Sequence, residues 1–597
     1  MGRRHLLIAG LLAVQAATLA LVPRGPTSIG STTPGGAQQE PGAATALNGA
    51  GGGSASGAAL GPGAALGSAS NPSGAGPSTG PSSAAGGSVT GGATDVSHCI
   101  GGREFNPAID YFAPPCTPGL VGGSYPNGGG TYAGVTASTV TIVDYITNYG
   151  AEVNAIDQAQ GTLETYPEAE QLDGAWENFI NSHYVLWGRK VHIVAYQGQC
   201  QSVPPDLQCL LPEMDSIVSR YHPYMLFWNT DLCSACYEEI ARNRVVAVGG
   251  DGFSDALANA LAPYYYSAGE SATRVETAFA QLWCNQLSSV NVPSRRVAFA
   301  GHENPAQDFN GQPRVLGVIS TNDPDNENTV TQVLQPELAR LCGDGQSINA
   351  HHYFYAQDIN TAAQQTKAGI DAMDTSHNPA TGVLCLCDSV APAFLYEGES
   401  QNNYWPENYV ATDQGMDLDT SGQSYEAQGG QPALGCPEPQ LGCEYSNAFG
   451  LATLDPAEPQ ANTVGLRVYR AGSGSATLPC DSGNCITPVF ASYIWPYWNM
   501  MASLIENAGP DLTPARMQAA APALGQRGGG STGHMAKGFA SGDWYWTQDA
   551  RLVYWDNNRP SPYNGVDGTY VQIEGGNLNL GQYPFLAGGP PIPSRRN

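Results

Sequence analysis

Cys233-Ser-Ala-Cys236 is the most redox-like spacing in the chain, set where a helix begins and a thiolate would be stabilised. A thioredoxin-type reading needs a compact fold around the pair. None is legible nearby, so a local structural disulfide is the expectation. His351-His352 falls in a strand-like run, which sends the two rings to opposite faces and makes a joint metal site poor geometry. Gly528-Gly-Gly-Ser-Thr-Gly533 has the glycine spacing of a phosphate loop, but His534-Met535 replaces the lysine and hydroxyl that would reach phosphates. Trp544, Tyr545, Trp546, Tyr554 and Trp555 can stack on a sugar or simply pack a core. No Gly-x-Ser-x-Gly elbow or His-Glu-x-x-His helix occurs. Neither a cofactor nor a metal is implied.

The elements that must position such residues alternate. Val140–Val143, Val191–Tyr196, Tyr224–Trp228 and Val245–Val248 read as strands. Between them, Ala169–Val185, Leu207–Arg220 and Cys233–Arg242 read as helices. A second series follows, with strands at Arg296–Ala300, His351–Tyr355, Gly382–Cys387 and Tyr409–Thr412. Its helices are Glu270–Leu287, Asn328–Leu341 and Ile359–Met373. Thr420–Pro488, rich in Gly, Pro and Cys, reads as stapled loops. Helices return at Ser492–Asn507 and Pro514–Ala523, and aromatic strands close the domain at Trp544–Trp546 and Leu552–Trp555. Such alternation predicts an α/β protein of two doubly wound parallel-sheet lobes forming a clamshell. The expected division gives residues 99–266 and 411–525 to lobe 1, with a disulfide-stapled loop insertion at 420–488. Lobe 2 takes 267–410 and 526–575, and 576–597 is an irregular tail.

Composition bounds the function. With 52 acidic and 24 basic residues the net charge is −28, which argues against nucleic acid or an anionic membrane surface as partner. Arg3, Arg4 and His5 precede an apolar run from Leu6 to Val22, so residues 1–22 read as a signal peptide or a retained membrane anchor. Residues 23–98, mostly Gly, Ala, Ser, Thr and Pro, cannot bury enough apolar surface to fold and read as a disordered linker. All 14 cysteines lie beyond residue 98, and an exported chain would oxidise them. Short spacings pair Cys99 with Cys116, Cys200 with Cys209, Cys436 with Cys443 and Cys480 with Cys485. Cys385 and Cys387 alternate along a strand and face one side, so each is expected to pair elsewhere, with Cys284 and Cys342 the natural candidates.

Gly134-Val-Thr-Ala-Ser-Thr-Val-Thr-Ile-Val143 is similar to the opening strand of the ABC-transporter substrate-binding proteins related to the leucine/isoleucine/valine-binding proteins. Phe179-Ile-Asn181 followed by Gly188-Arg-Lys-Val-His-Ile-Val194 resembles that family's helix–strand junction. Asn499 to Gly509 resembles the helix that crosses back between lobes. The resemblance covers about Gly134 to Tyr570 and implies the periplasmic-binding protein type I fold. It also implies an extracytoplasmic solute-binding function without catalysis: capture of a small polar organic ligand, amino-acid-like or related, for a membrane permease. An extracellular sensing domain is the alternative, and a secreted thiol–disulfide enzyme a further one. Ligand contacts carried over from the family fall on loops after the strands: Asn229 and Thr230, Asp251 and Gly252, Phe309 and Asn310, Asp388 and Ser389, and Asp413. Such loops offer backbone N–H groups and short polar side chains. Phe309-Asn310 stands where the family has Tyr-Gly.

Overall fold

A computed structural model describes residues 94–228, 233–250, 252–298, 309–402, 404–412, 415–428, 445, 448–479 and 486–579. The expected signal or anchor, most of the linker and of the C-terminal tail, and the pairs Cys436/Cys443 and Cys480/Cys485 lie outside these residues; residues 576–579, expected to be irregular, continue the strand Asp567–Asn579. Among the described residues no helix is long and apolar enough to cross a membrane.

The first sheet holds β1 (Thr139–Ile146), β2 (Lys190–Gln197), β3 (Met225–Trp228), β4 (Val246–Gly249) and β5 (Tyr265–Tyr266), all parallel in the order β2-β1-β3-β4-β5. β3 is Met-Leu-Phe-Trp with every residue buried, the run expected of a parallel strand covered on both faces. Helix Tyr166–His183 packs Trp176 and Phe179 against Trp495 of helix Pro488–Ala508 at ring distances of 5.1 and 5.3 Å. Gly134, just before β1, sits at φ 73° where a Cβ would lie 2.1 Å from the Tyr224 nitrogen, so only glycine lets β1 start this close to β3.

The second sheet repeats that order. β6 (Leu316–Thr321), β7 (His352–Tyr355), β8 (Gly382–Leu386), β9 (Glu407–Thr412) and β10 (Phe449–Ala452) run parallel as β7-β6-β8-β9-β10. The antiparallel hairpin β11 (Asp549–Pro560) and β12 (Asp567–Asn579) then extends it. The fold is therefore α/β with two parallel-sheet lobes, each with its own core. The backbone passes between lobes near residues 267–271, 453–463 and 547–548, because Ala268 and Trp546 pack in the first core while Val275, Leu451 and Ala550 pack in the second.

Those crossings revise the expected boundaries. The described residues between 411 and 452 belong to the second lobe, since β10 completes its parallel sheet. Residues 526–546 remain with the first, where Phe539, Trp544 and Tyr545 are core residues. Trp544–Trp546 is not a strand but an isolated bridge, Tyr545 to Ser267. The stretch expected as stapled loops carries helix Asp419–Gln428, β10 and helix Val464–Ser473. At Arg296 only a bridge to Pro313 forms, and the strand is Leu316–Thr321, whose six residues are all buried. The sulfurs of Cys99/Cys116, Cys200/Cys209, Cys233/Cys236 and Cys284/Cys342 lie at bonding distance. Cys385 lies at bonding distance from Cys387, not from a cysteine on another element: two residues sharing one strand face come close enough once β8 ends at Leu386.

Candidate functional site

A cavity of about 180 Å³ opens between the carboxyl ends of the two sheets. Its first-lobe wall begins with Asp144 to Thr147 at the end of β1 and continues along the next connection, through helix Ala151–Gln160 to Thr162 and Glu164. Trp228 at the end of β3 donates its indole N–H to the Thr147 hydroxyl at 2.8 Å and holds that turn. Its second-lobe wall is made by Tyr353 and Tyr355 of β7, by Ala356 to Asp358 just after it, and by Cys387 to Ser389 after β8. Helices Ala362–Met373 and Ala391–Asn402 complete that side. This is where open parallel sheets place ligands.

Hydrogen bonds join the lobes around it. The Gln160 side-chain amide donates to the Ser389 carbonyl at 2.9 Å. Ser254, which caps helix Asp255–Leu261, donates its backbone N–H and its hydroxyl to Asp325, both at 2.6 Å. Ser234 does the same to Asp323, at 3.1 and 2.9 Å.

The charged side chains of the lining are all acidic. Asp144, Asp157, Glu164, Asp358 and Asp388 line the cavity, and no Lys, Arg or His joins them among the described residues. Asp157 is 7 % exposed, and its carboxylate accepts one long hydrogen bond, 3.5 Å from the Thr162 hydroxyl. Burial first, then the charge of Asp388, push this carboxyl up to about 7. Asp144, Glu164 and Asp173 form a second acidic group. Burial raises all three, and the charge of Asp144 adds to the rise at Glu164 and Asp173. Gln357, also 7 % exposed, holds a side-chain nitrogen without a hydrogen-bond partner among the described residues.

Of the residues expected to touch ligand, Asp388 and Ser389 line the cavity. Asp388 is engaged as a cap, its carboxylate accepting from the Val390 and Ala391 N–H groups at 2.8 and 2.9 Å and from the Tyr355 hydroxyl at 2.6 Å. Phe309 is a core residue, 2 % exposed and edge-on to Tyr404, because an aromatic ring after that loop gains more from the apolar interior than from the cleft. Asn310 is exposed, and neither residue lines the cavity. Gly252 is absent from the lining too, its N–H directed to the Glu270 carbonyl. Asn229, Thr230, Asp251 and Asp413 lie outside the described residues. Sequence reasoning missed Asp157, Glu164 and Gln357. One signal was available for the first two: residues 147–165, between β1 and the first long helix, form an unusually long connection with a polar helix of its own.

Cys233 and Cys236 are 2 % and 0 % exposed, which closes them to a thiol substrate. A second cavity, about 360 Å³, adjoins the lobe crossings and shares Leu418 and Tyr493 with the first. Its charges are matched internally: Asp455 lies 3.8 Å from Lys537 and accepts the Met535 N–H at 2.6 Å. Asp417 accepts the Thr453 and Leu454 N–H groups at 2.7 and 2.9 Å. These bonds tie the crossings together.

Two parallel-sheet lobes with a cavity at their facing carboxyl ends define the class of molecule. No protein-family profile and no curated protein matches the chain. Among solved structures it is similar to a possible leucine/isoleucine/valine-binding protein from Rhodopirellula baltica SH 1, at 11 % identity and TM-score 0.45, over 73 % of this chain and 96 % of that one. It is similar to an ABC-transporter solute-binding protein from R. palustris in complex with 4-hydroxybenzoate, at 10 % identity and TM-score 0.46, over 74 % and 98 %. A fatty acid ABC transporter substrate-binding protein from Thermomonospora curvata matches at 13 % identity and TM-score 0.46, over 75 % and 95 %.

Proposed function

We propose that this chain is an extracytoplasmic, non-catalytic solute-binding protein that captures a small polar organic molecule between its lobes and presents it to a membrane permease. The observation that carries this reading is the interlobe cavity, walled by both lobes and fed by the carboxyl ends of both sheets. Its volume of about 180 Å³ lies below the range of drug-sized ligand pockets, which favours a small solute. A solute touching Asp157 on one wall and Gln357 on the other favours the closed arrangement by as much as its contacts differ between open and closed forms. Three backbone crossings beside the cleft allow the lobes to rotate as bodies.

The test starts from purified protein. Small molecules released on heating are identified by mass spectrometry and returned to solute-free protein in a thermal-shift assay. Ala362, which lines the cavity, is replaced by tryptophan to fill it. The expected result is a solute that raises the melting temperature of the parent protein by several degrees and leaves Ala362→Trp unmoved. Equal stabilisation of both proteins would overturn the reading.

A further inference from the structure

We infer that the solute is an organic cation, an ammonium or amidinium compound without a carboxylate, held against Asp157 in the interlobe cavity. This rests on the solute-binding reading and narrows it to a substrate class.

The charge balance comes first. Five acidic side chains line the cavity, and among the described residues no basic side chain offsets them. A carboxylate-bearing solute would find no basic side chain in the lining, while burial favours the neutral forms of Asp144, Asp157 and Glu164 until a cation arrives to offset their charge. The acids are not all engaged in the fold. Asp388 caps a helix, and Asp358 caps the turn at Ile359–Thr361 by accepting the Asn360 N–H at 3.0 Å. Asp157 has only the long Thr162 contact described above, although it is nine-tenths buried. A buried carboxylate is costly unless paired, and the cavity is the open side from which a partner can come.

Aromatic side chains set the kind of cation. Tyr149, Tyr353, Tyr493, Phe394 and Phe490 share the lining, and ring faces attract ammonium groups that have shed their water. A metal ion fits poorly, because no three of the cavity carboxylates bring their oxygens within 4.8 Å of one another. Among the described residues only His98, Cys99 and Cys116 meet that distance, and those two sulfurs are at bonding distance from each other. Gln357 adds a second requirement. Gln357 lines the same cavity and its buried amide nitrogen has no hydrogen-bond partner among the described residues; a rotation of that amide toward the cavity would offer it to a hydroxyl, ether or carbonyl oxygen, which carries no negative charge.

The experiment is a thermal-shift and calorimetric panel at pH 7.5 on the full chain and on Asp157→Asn. The panel holds amines (ethanolamine, choline, 1,4-diaminobutane, benzylamine), zwitterions (leucine, 4-aminobutyrate), anions (butyrate, benzoate), a neutral sugar (xylose) and calcium chloride. At least one amine is expected to stabilise the parent protein and to bind Asp157→Asn about tenfold or more weakly, as for a lost charge-assisted contact. The melting temperature of Asp157→Asn at pH 5, where the carboxyl is protonated, confirms that the variant is folded. Preference for a zwitterion, anion, sugar or calcium over every amine would overturn the inference, as would an amine bound equally by both proteins. If the released solute carries no positive charge yet is lost in Ala362→Trp, the inference falls and the solute-binding reading stands. If it binds regardless of Ala362→Trp, that reading falls first.

Discussion

Gln160 reaches from the first lobe to the backbone carbonyl of Ser389 in the second, 2.9 Å away, at the edge of the cavity. Tyr425 donates its hydroxyl to the same carbonyl, also at 2.9 Å. The Gln160 bond is therefore a direct reporter of lobe closure. Gln160→Ala should shift the ligand-free protein toward open forms and weaken solute binding severalfold, with little loss of fold stability. Small-angle scattering checks this: the variant's radius of gyration should exceed the parent's without solute and match it with solute bound.

A stronger latch lies at Ser254 and Asp325, where one carboxylate accepts both a backbone N–H and a hydroxyl. The hydroxyl also accepts the Leu257 N–H and so caps a helix. Ser254→Ala removes both roles and should cost about 1–3 kcal/mol. Urea unfolding measures that cost, and an unchanged midpoint would show that water replaces the hydroxyl freely.

Buried acids, Asp157 in the cavity and Glu276 and Glu399 outside it, predict an inverted pH dependence for the solute-free protein. Asp157 is raised by burial and Asp388 from 3.8 to about 7, and Glu276 and Glu399 are raised by burial from 4.5 to about 8. Between those values the unfolded chain has already lost protons that the folded chain retains, so stability falls as pH rises. The contribution is complete below about pH 4 and lost by about pH 8, at roughly 1.4 kcal/mol per pKa unit as an upper bound. Urea unfolding should give a lower free energy at pH 8 than at pH 5, and Asp157→Asn should narrow the gap. Equal stability at the two values would contradict this.

Arg314 and Glu407 form a buried pair in the second lobe, with Nε–Oε2 at 2.7 Å and Nη2–Oε1 at 3.0 Å. The Tyr409 hydroxyl and the Ala298 N–H also bond Glu407, at 2.6 and 2.7 Å. Glu407→Ala leaves a buried guanidinium uncompensated and should cost about 3–5 kcal/mol. Arg314→Met with Glu407→Leu should recover a large part of that loss. A double-mutant cycle by urea unfolding checks the coupling.

Much of the architecture was legible because it rests on local signals. Met225 to Trp228 and Val246 to Gly249 are short, wholly apolar runs between helices, the mark of parallel strands buried on both faces. The lobe boundaries were not. Phe449–Ala452 is a four-residue run in a Gly- and Pro-rich stretch, and its place beside β9 depends on a pairing 40 residues away between Phe449 and Tyr409. Trp544 and Trp546 resemble Trp555 in type, yet the first two pack in one lobe's core and the third in the other's. The site divided in the same way. Asp388 and Ser389 follow a readable strand, whereas Asp157 sits on a helix whose apolar and polar residues are too evenly mixed to show which face meets the cleft.

The most direct test of the account is a crystal structure of the protein with its released solute bound. The solute should lie between Asp144–Glu164 and Tyr353–Ser389, touching both lobes, with a cationic nitrogen within hydrogen-bonding distance of Asp157. A solute in the cavity beside Asp455 and Lys537, or one touching a single lobe, would contradict it.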